Sequence, residues 1–159
     1  MTGNLSPGAK RIQDALASLG SGLEVIELPH STRSAAEAAA AIGCTVGQIA
    51  KSIVFRTVQA GLPILVIASG ANRINEARIA FLIGEPIEKA DAGYVREKTG
   101  FAIGGIPPVG HAERIRTIID QDLLGYREIW AAAGNPNAVF RLDPARLPAI
   151  TGGTLSSIR

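Results

Sequence analysis

The sequence predicts an α/β fold in which one mixed β-sheet is surrounded by helices. Short runs of β-branched and aliphatic residues alternate along the chain with segments whose apolar residues recur at helical spacing. Ser, Asn and Asp residues stand where helix N-caps are expected, and Gly follows most of the helical segments. The chain has 159 residues, of which 47% are hydrophobic and only 4% aromatic, so we expect a single domain over residues 1–159 with an aliphatic core.

The helices are predicted from their caps. Ser6 precedes a proline, which is a favourable start because proline at the first helical position needs no N–H partner. Ser34 and Glu37 have the spacing of a capping box, and Asn75 and Asp91 open two further helical segments. The predicted helices are 6–19, 34–43, 75–83, 91–99 and 143–147, with one short helical turn at 45–48.

The strands are predicted from alternation and from apolar runs. Residues 23–28 alternate like a strand with one buried face, and residues 64–68 are almost wholly apolar, as in a strand buried on both faces. We expect residues 1–5 to be a frayed end and the Gly- and Ser-rich tail from Thr151 to add little. The predicted strands are 23–28, 52–57, 64–68, 86–89, 115–119, 128–132 and 139–142.

Missing motifs exclude several classes of protein. The sequence has no Gly-x-Ser-x-Gly elbow, no Walker A motif and no Rossmann glycine pattern. His30 and His111 are far apart and Cys44 is the single cysteine, so we expect no metal site, no disulfide and no cofactor. No apolar run approaches a membrane span and no leader pattern opens the chain, so a reduced, cytoplasmic setting is expected. The formal net charge of +2 permits a nucleic-acid partner without requiring one.

A loop rich in glycine and proline is the first candidate for chemistry. Five of the eight residues 104–111 are glycine or proline, which predicts a stiff loop with the Gly104 and Gly105 amides free to approach a ligand. Such amides can form an oxyanion hole beside an ester carbonyl. The same composition is also typical of a plain connector between a helix and a strand.

Lys51 is the second candidate. It falls at the junction of the short turn 45–48 and the strand 52–57, and it shares strand parity with Ile53 and Phe55. A lysine on an apolar face needs an anion or a carbonyl partner, because its charge is costly to desolvate. A solvated lysine at the start of a strand is the alternative interpretation.

Together these stretches resemble the YbaK family, free-standing relatives of the editing domain of bacterial prolyl-tRNA synthetase. The resemblance rests on residues 48–55, Gln-Ile-Ala-Lys-Ser-Ile-Val-Phe, on the pair Thr99-Gly100, and on residues 104–110, Gly-Gly-Ile-Pro-Pro-Val-Gly. The Ala-rich helix before the lysine and the helix 91–99 before the loop also fit the layout of the family. The resemblance extends over most of the chain, residues 6–147.

The resemblance implies hydrolysis of mischarged aminoacyl-tRNA, most often proline tRNA carrying a wrong small amino acid (Ala, Cys, Ser or Thr). Lys51 matches the family's lysine near the 3′-terminal adenosine and its ester, and Gly104 and Gly105 match the loop glycines that contact the ester or ribose. In such domains the attacking group is a water, the ribose 2′-hydroxyl or a substrate thiol. The implied partner is the acceptor end of the tRNA. Prolyl-tRNA synthetase or an elongation factor is a further candidate partner in trans, and the protein is expected to be a monomer or a homodimer.

Further polar and loop residues are candidates for the substrate site. Ser52 follows the lysine, where a hydroxyl would contact the substrate's side chain, and His30 follows the first strand, where family members line the amino-acid pocket. A helix-capping histidine is the alternative for His30, and Asp120 and Asn135 each also suit a turn. The substrate-binding candidates are His30, Ser52, Ser69, Arg73, Ile106, Pro107, Pro108, Gly110, His111, Asp120 and Asn135. Candidates for acceptor-stem phosphates, each with solvated surface as the alternative, are Arg33, Arg73, Arg78, Arg96 and Arg116.

Three functions remain open at this point. The first is a trans-editing deacylase that uses Lys51 and the Gly104 loop. The second is a non-catalytic module that binds tRNA or aminoacyl-adenosine, and the third is a hydrolase of a small ester or amide unrelated to tRNA. The intact lysine and loop favour the first, because a protein that only binds has less reason to keep both.

Overall fold

The computed structural model describes residues 5–159, which form eight strands and five α-helices. Of residues 1–5, which we predicted to be a frayed end, residues 1–4 lie outside the described part of the chain. The helices are α1 (Pro7–Ser18), α2 (Ala35–Ile42), α3 (Glu76–Ile83), α4 (Ala92–Thr99) and α5 (Leu147–Thr151), with short 3-10 turns at Val46–Gln48, Gln121–Gly125 and Pro144–Arg146. The strands are β1 (Val25–Glu27), β2 (Ile49–Thr57), β3 (Pro63–Ser69), β4 (Ile87–Lys89), β5 (Arg116–Asp120), β6 (Ile129–Ala132), β7 (Ala138–Leu142) and β8 (Thr154–Ser156).

All eight described strands belong to one sheet, in the order β1-β7-β6-β2-β3-β5-β8, with β4 also beside β2. β2 pairs antiparallel with β3, from Ala50 opposite Ser69 to Arg56 opposite Pro63. β3 pairs parallel with β5, and β5 pairs parallel with β8. Parallel and antiparallel pairs therefore occur in one sheet, and the predicted class of a single α/β domain with a mixed sheet is confirmed.

The other edge of β2 is shared by two strands and is open between them. β6 pairs parallel with β2 only at Ile49 and Ala50, and β4 pairs antiparallel only from Phe55 to Thr57. Residues 51–54 therefore have no strand partner on this edge. The gap is the feature of the fold that positions the candidate site.

The hydrogen bonds at the two ends of β2 show which backbone groups face the gap. Ile49 O accepts from Gly70 N at 2.8 Å, and Thr57 N donates to Leu62 O at 2.9 Å. In an antiparallel pair every second residue bonds to the partner strand, so the odd-numbered residues of β2 bond to β3. The backbone N–H and C=O of Ser52 consequently point toward the open edge.

Three clusters of buried side chains hold the helices on the sheet. The largest packs Ile12 and Leu16 of α1 onto one face, and the second packs Ile79 of α3 onto the other. A small third cluster joins Ala38 of α2 to Ile49 of β2. Full burial of one such aliphatic side chain stabilises the fold by about 1.5–3 kcal/mol. None of the described helices is both long enough and apolar enough to cross a bilayer.

Two predictions about the strands are wrong. β2 begins at Ile49 and not at residue 52, because its first residues pair with β6, so Lys51 lies inside the strand and not at its junction with a turn. The tail after Thr151 does contribute to the fold. Its residues 154–156 form β8 beside β5, and Ile158 is fully buried in the second cluster.

Candidate functional site

The open edge of β2 forms one wall of a cavity of about 320 Å³. Its other walls come from α2 and the segment before it, from β6 and β7, and from the Gly-Pro loop of residues 101–111. We call it the Lys51 cavity after one of the two cationic side chains that line it. Aliphatic side chains make up much of the lining, among them Ala38, Ile49, Ile53, Ile106 and Val139.

Lys51 is half-buried and lies opposite Ala68 of β3. It shares a sheet face with Phe55, which belongs to the second core cluster, and with Ile53, which packs against that cluster. None of the four ion pairs within residues 5–159 involves Lys51. Lys51 therefore lines the cavity on an apolar strand face, and no carboxylate among the described residues pairs with it.

Arg33 brings a second positive charge to the cavity. Its side chain covers the Gly-Pro loop, since a Cβ atom built on Gly104 would lie 3.3 Å from Arg33 Cγ. Arg33 also takes part in none of the four ion pairs of the described chain. No Asp or Glu among residues 5–159 lines the cavity, so two unopposed cations favour an anionic or strongly polarised ligand.

The two adjacent glycines of the loop have different surroundings. Gly104 has a φ of +96°, lines the cavity, and its N–H bonds to no other backbone group within residues 5–159. The N–H of Gly105 instead donates to Ala102 O at 3.1 Å, and its carbonyl accepts from Gly134 N at 3.0 Å. A Cβ on Gly105 would lie 2.7 Å from Asn135 Cα. The expectation of two free amides is therefore corrected to one, that of Gly104, while Gly105 fixes the loop against the turn at 134–135.

Two unsatisfied polar atoms mark the same cavity. Among residues 5–159, the buried side-chain polar atoms without a hydrogen-bond partner are Ser52 Oγ and Trp130 Nε1. Both residues line the Lys51 cavity. A buried polar group without a partner costs about 1–3 kcal/mol, so such atoms are uncommon unless a ligand or water completes them.

The lining supplies no activated nucleophile. No His, Cys, Asp or Glu of the described chain lines the cavity. The one carboxylate in contact with a lining hydroxyl is that of Glu37, which accepts from Ser34 Oγ at 3.3 Å within the N-terminal cap of α2. Thr32 Oγ1 donates to Pro136 O at 2.6 Å, and Ser34 Oγ accepts from Glu37 N at the start of α2. The arrangement can therefore bind an anion and polarise a carbonyl oxygen, whereas the attacking group has to come from water or from the ligand.

The structure places two of the predicted candidates in a separate group, which we call the Asp120 cluster (Ser69, Asn72, Asp120 and Asp122). Asp120 Oδ2 accepts from Ser69 N at 3.0 Å and from Asn72 Nδ2 at 2.8 Å. Asp120 is 1% exposed, and neither it nor Ser69 lines the Lys51 cavity.

The far half of the Gly-Pro loop also faces away from the Lys51 cavity. Pro107 is buried, and its carbonyl binds His111 Nε2 at 2.7 Å. Pro108, Gly110 and His111 line a different cavity, beside the end of α1. Burial lowers the pKa of His111, and its hydrogen bond to Pro107 only partly offsets this.

The remaining candidates are dispersed. Arg73 lies beside Asn72 and Asn75 in a surface depression, Asn135 contacts Gly105 behind the loop, and His30 is exposed. The predicted residues that the structure does bring together at the Lys51 cavity are Arg33, Lys51, Ser52, Gly104 and Ile106.

Thr32, Ser34 and Trp130 line the cavity but were not predicted as site residues. Ser34 was assigned only as a helix cap, a role that it also has. Trp130 is the single tryptophan of the sequence, which is the one local property that distinguishes it. Its place depends on the parallel pairing with Ile49, a contact between distant segments that no local pattern encodes.

The fold and cavity define a small α/β domain with a cationic ligand site that lacks a protein nucleophile. The aminoacyl-tRNA editing domain family matches residues 30–150. This chain therefore belongs to that family, and the resemblance found in the sequence is confirmed.

Individual relatives agree with the family match. The crystal structure of a proposed trans-editing enzyme for prolyl-tRNA synthetase is 49% identical, with a TM-score of 0.92, and the match covers 98% of this chain and 99% of that one. The crystal structure of hypothetical protein APE2540 is 28% identical, with a TM-score of 0.86, over 93% and 98% of the two chains. The uncharacterized protein YwhH of Bacillus subtilis (strain 168) is 30% identical over 124 residues, 78% of each protein.

Proposed function

We propose that this chain is a trans-editing deacylase that hydrolyses the ester of mischarged tRNA. The proposed substrate is proline tRNA carrying a wrong small amino acid, namely Ala, Cys, Ser or Thr. The observation that carries the proposal is the Lys51 cavity, where, among residues 5–159, two cations without an ion-pair partner and one free backbone amide surround a site with no His, Cys, Asp or Glu in its lining. Membership of the editing family and the likeness to a proposed prolyl-tRNA trans-editing enzyme support it.

The cations suit the 3′ end of a tRNA. The terminal adenosine carries a phosphate on its 5′ side and an ester on its ribose, so it presents a negative charge close to a polarisable carbonyl. The ammonium group of Lys51 is a compact charge that can bind an oxygen of the phosphate or the ester carbonyl oxygen. The planar guanidinium of Arg33 can donate two parallel hydrogen bonds to a phosphate. The free N–H of Gly104 adds a fixed dipole of the kind that stabilises a developing oxyanion.

The reaction then needs no nucleophilic side chain. The oxygen of a water attacks the ester carbonyl carbon, directly or with the neighbouring ribose hydroxyl as its base, and the bond between that carbon and the ribose oxygen breaks. The ribose oxygen leaves with a proton, which gives free amino acid and uncharged tRNA. The contribution of the protein is to position the ester and to stabilise negative charge, and both effects are large in catalysis.

The size of the cavity favours a small aminoacyl group. At about 320 Å³ it lies at the low end of the range for ligand sites, which runs from about 300 to 1,000 Å³. Its aliphatic walls distinguish neighbouring side chains by about 1–3 kcal/mol per methylene. A small apolar site next to a cationic group therefore fits an amino acid with a short side chain, esterified to a terminal adenosine that carries a phosphate.

The test is deacylation of proline tRNA charged in turn with Ala, Cys, Ser, Thr and Pro. We expect the wild type to hydrolyse at least one of the wrong esters and to spare prolyl-tRNA. Lys51→Ala should lower kcat/KM by about 100-fold or more, the loss typical of removing one oxyanion-stabilising group. The matched control is Lys89→Ala, because Lys89 is exposed on β4 and does not line the Lys51 cavity.

Each result decides between the candidate functions. Equal activity of Lys51→Ala and the wild type would remove Lys51 from the mechanism. No turnover of any of the five esters, together with tight binding of uncharged tRNA, would instead establish a non-catalytic binding module. Turnover that the tRNA body does not improve over a free amino-acid ester would indicate a small-ester hydrolase.

A further inference from the structure

A second cationic cavity lies against the Gly-Pro loop. Its volume is about 230 Å³, and its side-chain lining includes Arg11 of α1, Arg96 of α4 and the buried Phe101. No Asp or Glu among the described residues lines it. We call it the Arg96 cavity. Like the Lys51 cavity, it brings two cations together without a carboxylate to oppose them.

The two cavities share the loop as a common wall. Gly104 lines the Lys51 cavity and Gly105, the next residue, lines the Arg96 cavity. Their Cα atoms are about 3.8 Å apart, the fixed spacing across one trans peptide. A hydrogen bond makes a second connection, since Thr32 of the Lys51 cavity donates its hydroxyl to the carbonyl of Pro136, which lines the Arg96 cavity.

The two arginines are held differently. The guanidinium of Arg11 lies 4.3 Å from the centroid of the Phe101 ring, and its Nη1 donates to Gly100 O at 3.1 Å. That group is therefore fixed in place before any ligand binds. Arg96 is exposed, and neither arginine takes part in the four ion pairs of residues 5–159. One guanidinium held by the protein and one exposed guanidinium, both lining the same cavity, suit the tetrahedral oxygens of a phosphate.

We propose that the Arg96 cavity binds a backbone phosphate of the single-stranded RNA end whose terminal adenosine occupies the Lys51 cavity. This inference rests on the proposed function, because it needs a nucleic-acid end at the first cavity. The phosphate is the second one from the 3′ end, because the proposed function already places the phosphate on the 5′ side of the terminal adenosine beside the cations of the Lys51 cavity. The RNA would then cross the loop at Gly104 and Gly105, with positive charge on both sides of it.

Equilibrium binding of uncharged RNA tests this without relying on turnover. The probes are a short single-stranded RNA that ends in CCA and the same RNA with a neutral methylphosphonate in place of the second linkage from the 3′ end only. For the wild type we expect the neutral probe to bind about five- to tenfold more weakly, as for loss of one charge-assisted hydrogen bond. Arg96→Gln should weaken binding of the normal RNA to a similar extent, and the neutral linkage should then make a smaller difference than it does for the wild type, because only the Arg11 contact remains to be lost.

The salt dependence gives an independent measure. Each phosphate contact to single-stranded RNA contributes about 0.7 to the slope of log affinity against log salt concentration, so Arg96→Gln should reduce the slope by about that amount. Arg127→Gln is the matched control, because Arg127 is an exposed arginine that lines neither cavity and should behave as the wild type. Arg11→Gln should act like Arg96→Gln, although its contact with Phe101 makes Arg96→Gln the cleaner variant.

The inference is overturned if Arg96→Gln binds the normal RNA as tightly as the wild type does. It is equally overturned if the neutral linkage weakens binding to both proteins by the same factor, or if the wild type binds neither probe. The deacylation assay with Lys51→Ala runs separately. If turnover depends on Lys51 but binding does not respond to the methylphosphonate as expected, the proposed function stands and the phosphate site is wrong. If binding responds as expected but no ester is hydrolysed, the protein binds RNA without deacylating it.

Discussion

The Lys51 cavity and the Asp120 cluster both contain polar residues that the sequence indicated as site candidates, yet they differ in how their polar atoms are paired. In the Asp120 cluster the carboxylate oxygens of Asp120 accept three hydrogen bonds, from Ser69 N, Asn72 Nδ2 and Asp122 N. Asp122 also bonds to Asn72 and pairs with Arg159 at 3.1 Å. In the Lys51 cavity, two cations form no ion pair and two buried polar atoms have no hydrogen-bond partner within the part of the chain that the structure describes.

The comparison shows that a polar residue at a strand end is not by itself a functional residue. A group whose hydrogen bonds are all made within the protein has little left to offer a ligand, and it stabilises the fold. A group that the fold leaves unpaired is available for a ligand and costs stability until one binds. On this criterion we propose a structural role for Asp120 and Ser69 and a ligand-binding role for Lys51 and Ser52.

The largest effect on stability is expected from Asp120→Ala. The substitution leaves the buried N–H of Ser69 and the amide of Asn72 without their acceptor, so we expect unfolding to become easier by about 2–4 kcal/mol. Denaturant midpoints measure it. Asp143→Ala is the control, because Asp143 only caps a short exposed turn through Ala145 N and should cost about 1 kcal/mol. A variant that keeps its stability but loses deacylation would place Asp120 in the substrate site and reverse its assignment.

Smaller changes in the free energy of unfolding, which differ in sign, are expected for alanine substitutions of Ser69 and Ser52. Ser69 Oγ donates to Gly47 O at 2.7 Å, so Ser69→Ala should lower the free energy of unfolding by about 1–2 kcal/mol. Ser52 Oγ is buried without a partner, so Ser52→Ala should leave that free energy unchanged or raise it by up to about 1 kcal/mol. The same variant should change the relative deacylation rates of the different aminoacyl esters. A loss of stability in Ser52→Ala, comparable to that in Ser69→Ala, would show that the hydroxyl has a structural partner after all.

Local chemistry was sufficient to predict most of the fold. Ser34, Asn75 and Asp91 each accept a backbone N–H at the start of the helix that they were predicted to cap. The apolar run in β3 is buried throughout, as its composition required. These features depend on residues within a few positions of one another, which is the range over which sequence patterns carry information.

The remaining features depend on contacts between distant segments. β8 exists because a Gly- and Ser-rich tail pairs with β5, and its own residues give no strand pattern. The gap beside residues 51–54 exists because β6 leaves β2 after Ala50 and β4 joins it only at Phe55. Lys51 and Gly104 were predicted as site residues from the sequence and line the same cavity, but the open edge that joins them to Arg33 and Trp130 was not predictable from any one stretch.

The smallest effect is expected from His111, a predicted site residue that lies outside the Lys51 cavity. Burial lowers the pKa of the His111 imidazole in the folded protein below about 6.5, the ordinary value for histidine. At a pH between the lowered pKa and about 6.5, the unfolded chain therefore binds more protons than the folded protein does. Stability is then fully present above about pH 6.5 and is lost as the pH falls through the lowered pKa. We expect the free energy of unfolding to decline from pH 7 toward pH 5 less steeply in His111→Gln than in the wild type. The exposed His30 provides the control, His30→Gln, which should keep the wild-type slope. If the free energy of unfolding changes equally with pH in all three proteins, His111 is solvated. Its hydrogen bond to the carbonyl of Pro107 would then not stabilise the Gly-Pro loop.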